Sequence, residues 1–282
     1  MANAIKGIDH CIILVRDLDV AHQKMSALGF TLTPRGVHSA HIGTANHCIM
    51  LRQAYFEVLS VRTPTDYNAS WRAKLTLRQG LDAVPIASDD VEAARAQLMA
   101  RGMALPAVID FSRPVDLPEG SSKAAFRLVM IPEEYTPHIT MFAIQHFTRE
   151  VVWHSSYLDH PNGAQAVRGV TAVHECPVNV APSYRKIFGD EAVTVTEDAA
   201  HIDTGAGQII FLTVARYAER FPGIVPDPAA RPPYLAALSL DVDDCARTAA
   251  CLDQREIPYT RLADGHVCVA PADACGTLLE FV

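Results

Sequence analysis

The sequence has no CxxC pair, no cluster of lysine and arginine, and no apolar run near the roughly 18 residues that a bilayer span needs, and each absence removes a class of protein. Its seven cysteines are odd in number and sit mostly in apolar runs, which reads as buried reduced thiols rather than a disulfide framework. The N-terminal MANAIKG lacks the long apolar core of a secretory signal, so the expected compartment is the cytoplasm. A formal net charge of −8 works against nucleic acid and anionic membrane as partners and leaves a small molecule as the expected one. No GxGxxG or GxxxxGK follows a strand-like run, no GxSxG elbow occurs, and no cysteine has a nucleophilic setting, so nucleotide folds and serine or cysteine hydrolases are unsupported.

What is present is ordinary in bulk and patterned in detail. Hydrophobic residues at 49% and charged residues at 20% fit a globular chain, and 282 residues exceed one comfortable core, which favours two domains. The stretch Gly7 to Leu28 sets the pattern. Ile8 to Val15 is an apolar, β-branched run interrupted by His10; Arg16 and Asp17 turn the chain; Val20, Ala21, Met25 and Leu28 make the stripe of an amphipathic helix that Gly29 stops. Strand-like runs at Phe30 to Arg35, Thr44 to Leu51 and Tyr55 to Val61 complete a βαβββ unit.

A second unit begins at Gly80. Leu81 to Ala87 is its first strand, Ser88 or Asp89 the helix cap, and Val91, Ala94, Leu98 and Met99 the helical stripe. Strands are expected at Ala107 to Ser112, Ala124 to Ile131 and His138 to His146, with Arg113 to Ser122 an exposed loop. A less regular third unit starts at Arg168 and a fourth at Tyr234, and LVRDLD, IASDDVE and LDVDDCA mark the repeat. Gln145 to Val167 is polar, aromatic and Asn-Gly containing, as a connection between halves should be. The division drawn is residues 1–150, a connector at 151–166, and residues 167–282.

Four such units, with His10 in the first strand and glutamates in the closing strands YFEVL and TLLEF, resemble the vicinal oxygen chelate superfamily of glyoxalase I, extradiol dioxygenases and bleomycin-resistance proteins. More narrowly, IDHCIILVRDLD with GVHSAHIGTANHCIML and YFEVLSV is similar to the glyoxalase-like domain family. The resemblance implies an α+β fold of four βαβββ modules paired into two open, cupped barrels. It also implies a divalent metal, Fe, Mn, Zn or Ni, held by side chains from opposed strands.

Histidine and glutamate suit such ions, and His10 and Glu57 are the matching pair in the first unit. Ala83 falls opposite His10 in the second unit. Setting AIQHFTRE under AYFEVLSV puts His146 at the counterpart of Glu57, giving a two-histidine, one-carboxylate set with open positions, provided the register holds. A lone histidine in an apolar strand is more often a satisfied core residue, but a strand glutamate such as Glu57 wants a cation or strong donors. In the second half Ala172 and Ala237 stand where a first-strand histidine should be, His174 and Glu175 are out of register, and Glu280 reads as an inherited or hydrogen-bonded carboxylate. That half is taken as mainly structural. Substrate contacts are expected from His38 and Asn46, from Arg127 as a carboxylate fork, and from Trp153, which with His154, His160 and Asn162 forms either a lid or an exposed hinge. His41 and His47 read as solvated loop residues.

These residues favour a metal-dependent lyase or isomerase acting on a small oxygenated molecule, with Glu57 both ligand and base. A ring-cleaving extradiol dioxygenase is the alternative within the same chemistry. A metal-free protein that binds or sequesters a small molecule, and a non-catalytic scaffold, are the alternatives outside it. Self-association into a homodimer is left open.

Overall fold

The computed structural model describes residues 4–117, 120–136, 139–224 and 230–282. In the first module the run around His10 forms two strands, β1 (Ile5–Ile8) and β2 (His10–Leu14), separated by a break at Asp9. Asp17 caps α1 (Leu18–Ala27) by accepting from the amides of Asp19 and Val20. Then come β3 (Gly36–Val37), β4 (Thr44–Met50), β5 (Tyr55–Val61) and α2 (Ala69–Leu77). The second module is β6 (Gly80–Ala83), β7 (Ile86–Ser88), α3 (Val91–Ala100), β8 (Ile109–Leu117), β9 (Gly120–Ile131) and β10 (Met141–His146).

A short helix α4 (Arg149–Val152) leads to the third module. It contains β11 (Ala164–Val173), α5 (Ala181–Phe188), β12 (Val193–Val195), β13 (Ala199–Asp203), β14 (Gln208–Leu212) and α6 (Val214–Arg220). The fourth holds β15 (Tyr234–Val242), α7 (Cys245–Asp253), β16 (Thr260–Arg261), β17 (Val267–Val269) and β18 (Leu278–Phe281).

The fold is α+β, and among the described residues no sheet closes on itself. The first two modules build two five-stranded sheets, ordered β3-β4-β5-β2-β6 and β1-β7-β10-β9-β8, so each module lends one strand to the other's sheet. The lending happens where the first strand of each module breaks, at Asp9 in one and at Val84-Pro85 in the other, and the Asp9 amide donates to the Pro85 carbonyl at 3.0 Å. The last two modules join instead through β11 and β15 into one eight-stranded sheet.

Several local expectations give way. Residues 30–35 are not a strand, because Pro34 cannot donate to a ladder; pairing starts only at Gly36. On α1 the buried face is Leu18, Ala21 and Met25, with Val20 turned outward. Asp90, rather than Ser88 or Asp89, caps α3, its side chain accepting from the Ala93 amide. The stretch Arg113 to Ser122 is not a loop: β8 and β9 run through it as a hairpin, and Pro114 is tolerated because β8 is the edge strand of its sheet. Its tip, Pro118 and Glu119, lies outside the described residues, as does His138 of the expected strand before His146. Among the described residues no helix is long and apolar enough to cross a membrane.

The apolar core does not stop at the connector. One cluster of buried side chains runs from Ile5 to Phe281, and Phe30 stacks on Phe281 with ring centroids 6.0 Å apart. The connector itself is folded onto the first module: Trp153 Nε1 donates to the Leu51 carbonyl at 2.9 Å, His160 Nε2 lies 2.8 Å from the Met50 carbonyl, and Asn162 donates to the Leu28 carbonyl at 2.9 Å. The halves also touch backbone to backbone. Gly276, at φ +82°, sits so close to the chain before β6 that an added Cβ would lie 2.3 Å from the Gln79 carbonyl oxygen.

Gly276→Ala is therefore expected to destabilise the protein by about 1–3 kcal/mol, through the positive φ and the clash together. Both tryptophans, Trp71 and Trp153, lie before residue 154, so urea unfolding followed by tryptophan fluorescence reads the first half, while far-ultraviolet circular dichroism reads the whole chain. The substitution in the second half should lower both midpoints equally. An unmoved fluorescence midpoint would show that the halves unfold separately.

Candidate active site

Strand alternation decides which side chains meet. In the first sheet His10 pairs with Tyr55, Ile12 with Glu57, and Glu57 with Cys48, so His10, Ile12, Tyr55, Glu57, Cys48 and Asn46 share one face. In the second, Phe142, Ile144 and His146 of β10 align with Met130, Leu128 and Phe126 of β9, and the latter two with Ile109 and Phe111 of β8. These two faces enclose a cavity of about 370 Å³, to which α2 adds Trp71. Its polar lining includes His10, His38, Asn46, Glu57, Asp110 and Arg113, together with His41, expected as a solvated loop residue, and Tyr55, Tyr67, Trp71, Phe111, Phe126 and Phe142 are its aromatic walls.

His10 is the most constrained polar group. Its Nδ1 lies 2.6 Å from Oδ1 of Asp9, its ring stacks on Tyr55 at 4.4 Å and 8° between planes, and the ring meets Phe142 edge-on. With Nδ1 committed to a carboxylate, Nε2 is the nitrogen left for the cavity that His10 lines. Asp9 is only 2% exposed and takes a second hydrogen bond at 3.1 Å from Nε2 of His146. Burial alone would raise the Asp9 carboxyl, but the hydrogen bonds and charges of His10 and His146 outweigh it and hold the group well below the usual carboxylate range.

Glu57 is equally buried. Asn46 Nδ2 donates to its Oε2, and the Cys48 thiol lies 3.9 Å from the same oxygen. Burial first and the charge of Glu57 second push that thiol up to about 12, so it stays protonated and donates. His38 rests its Nδ1 2.7 Å from the Thr44 hydroxyl, and burial lowers its pKa against the upward pull of Glu57.

The remaining expected site residues lie elsewhere. Asp17 and Asp90 cap equivalent helices, each four residues after a paired strand residue, Ile13 or Ile86; the ladders set Val58 opposite Ile13 and Ala143 opposite Ile86. Phe142, not His146, is thus the counterpart of Glu57. His146 is four residues further along β10, about 13 Å by strand rise, on Asp9, with its Nδ1 buried and unpartnered among the described residues. Arg127 points to the opposite face of its sheet, where its Nε donates to Asp110 at 2.8 Å. Trp153 stands behind Tyr55 and His146 at 5.4 and 5.2 Å, edge-on to both, outside the cavity lining. Asp9 and Arg113 were missed; the signal for Asp9 was its place beside His10 inside an apolar run.

A metal of the kind the resemblance implies needs three or more such donors converging on one point. His10 and Glu57 face one cavity, but no group of three or more His, Cys, Asp and Glu side chains is set to hold an ion among the described residues. The residues present do not make that set. In the second half Glu280, 1% exposed, is satisfied by protein: Arg220 Nη2 at 3.0 and 3.2 Å, His266 Nδ1 at 3.2 Å, and the Ser239 hydroxyl.

A carboxyl held below its ordinary value stabilises the fold at every pH above the unfolded value near 4, and that contribution fades only as pH falls towards the lowered folded value. Asp9→Asn is accordingly expected to cost about 2 kcal/mol at pH 7, with the deficit shrinking below pH 4. Urea melts of both proteins at pH 7 and pH 3 check this. A deficit unchanged across that range means that the charge on Asp9 is not its source.

Among solved structures the chain is similar to a hypothetical protein from Staphylococcus aureus, at 13% identity and TM-score 0.70 with 99% of each chain covered. It is also similar to a mutant of 4-hydroxymandelate synthase from Streptomyces coelicolor, at 11% identity and TM-score 0.60, covering 99% of this chain and 92% of that one. A third likeness, at 13% identity and TM-score 0.57, is to a fusion of a xylose isomerase-like TIM barrel with a 4-hydroxyphenylpyruvate dioxygenase, and spans all of this chain and 49% of the other. At these identities the likeness is one of fold. No curated protein matches the sequence. The glyoxalase-like domain model matches residues 8–188, more than half of the chain and all of the cavity described above. The protein belongs to the glyoxalase-like domain family of the vicinal oxygen chelate fold.

Proposed function

We propose that the protein is a lyase or isomerase that moves a proton on a small oxygenated molecule, with His10 as the acid–base group. The observation that carries this reading is the buried Asp9–His10 pair opening on the cavity. A carboxylate on Nδ1 fixes the tautomer, leaves Nε2 as the basic nitrogen, and stabilises the imidazolium that forms when Nε2 takes a proton. Glu57 faces the same cavity from the neighbouring strand, so one of the two groups can take a proton from a carbon beside a carbonyl while the other returns it to the adjacent atom. Asn46 fixes Oε2 of Glu57 and leaves Oε1 as its reacting oxygen. The aromatic walls exclude water from the bases and so sharpen every charge inside.

Metal-assisted and ring-cleaving dioxygenase readings ask for a convergent donor set, and His10 and Glu57 supply two of its members. A protein that only binds and sequesters its ligand would be served by the same walls and by the same Asp9 seam, but would not need the seam histidine to line the cavity beside a second buried acid, as His10 does beside Glu57.

The test is proton exchange. Wild-type protein in D₂O, incubated with a panel of 2-oxo acids, 2-hydroxy acids and α-hydroxy ketones and followed by proton NMR, should wash out the α-hydrogen of at least one compound. His10→Gln should slow that washout by about 10² or more, with the thermal melt still cooperative. Exchange that persists in the variant removes His10 from the chemistry, and no exchange anywhere in the panel turns the reading to the binding protein.

A further inference from the structure

Arg113 is the cation that neither the proton-transfer reading nor the packing uses. Alternation places it on the cavity face of β8, two residues past Phe111, while its neighbours Ser112 and Pro114 are absent from the lining of the main cavity. It is half-buried, it lines both the main cavity and a smaller adjoining groove of about 120 Å³, and it makes no hydrogen bond or ion pair with any described residue. By contrast Arg127, on the other face of the same hairpin, is paired with Asp110.

The guanidinium sits at the polar end of the cavity. An added Cβ on Gly36 would lie 2.3 Å from Asn46 Oδ1 and 3.3 Å from Arg113 Nη1, so the bare backbone of β3 lets both side chains approach one spot. The charge of Arg113 is felt by His38, Cys48 and Tyr55, the same three groups that feel Glu57. An unpaired planar fork at one end of a pocket walled by Trp71, Tyr67, Phe142, Phe126, Phe111 and Tyr55 matches one kind of ligand. Flat rings gain from edge and face contacts with such walls, and a carboxylate meets the fork with two hydrogen bonds.

We infer that the ligand is a small carboxylate with an aromatic or similarly flat apolar body, held by Arg113 through its acid group and by the aromatic walls through its ring. The inference rests on the cavity of the proposed function and narrows the substrate class, but it does not depend on the chemistry of His10. With its acid on Arg113 and its ring between the sheets, such a ligand shares one cavity with His10 and Glu57.

Isothermal titration of the full chain with phenylacetate and with its neutral analogue phenylacetamide tests this. Wild type should bind phenylacetate at least tenfold more tightly than phenylacetamide. Arg113→Met should lose at least tenfold for phenylacetate and leave phenylacetamide within twofold, and Arg113→Lys should fall between, because a point charge replaces the fork. Equal affinities of wild type for the two compounds, an undiminished phenylacetate preference in Arg113→Met, or no binding of either compound overturns the inference. Loss of both affinities together with a lowered melting temperature in Arg113→Met is settled by Arg113→Lys, whose retained fold and unchanged preference would equally overturn it. Arg113-dependent binding in a protein that shows no proton exchange would keep the ligand class and end the acid–base reading.

Discussion

The need to satisfy one buried carboxylate organises the first half of the molecule. Asp9 stands where the chain leaves one sheet for the other, and its carboxylate, out of reach of water, is held by a histidine from each: His10 on β2 and His146 on β10. A buried charge without partners would cost several kcal/mol, so the two sheets cannot separate or slide without exposing that cost. The same hydrogen bond that closes the seam sets the tautomer of His10. Stability and chemistry draw on a single contact.

From that seam the rest of the cavity follows by strand geometry. Once His10 and Tyr55 are stacked across β2 and β5, alternation places Glu57 two residues on, Asn46 and Cys48 across from it on β4, and the aromatic residues of β8, β9 and β10 opposite. The second half, assembled as one sheet rather than two, answers the carboxylate question differently: Glu280 is closed off by Arg220, Ser239 and His266. A guanidinium there does for Glu280 what the Asn46 amide does for Glu57.

Much of this was legible in the sequence. The modules were visible because LVRDLD, IASDDVE and LDVDDCA each follow an apolar run and precede a helical stripe, and His10, His38, Asn46 and Glu57 stood out as polar residues in or beside apolar strands; all four line the cavity. What failed was register across modules. His146 was aligned by matching short strings, and a slip of four keeps the face of a strand while moving a side chain more than a ring's width away. Arg127 and Arg113 exchanged parts for a related reason: the turn-rich composition of RPVDLPEGSS hid a long hairpin, so the alternation that sends Arg113 inward was not available to read, and Arg127, though placed in a strand, had no partner strand to say which face was inward. Asp9 was overlooked because an acid at a strand break looks like punctuation until the break is seen to join two sheets.

The position of β8 has a consequence for how such a protein diversifies. It is the outermost strand of its sheet, paired only to β9, yet it sends Ile109, Phe111 and Arg113 into the cavity. Residues on that strand can be exchanged without touching the seam at Asp9, the glycine contacts between halves or the shared core. Substitutions along this one edge strand would therefore change what the cavity accepts while leaving the face that carries His10 and Glu57 as it is, so the spelling of β8 is the place where such a scaffold can be retuned at least cost to its core.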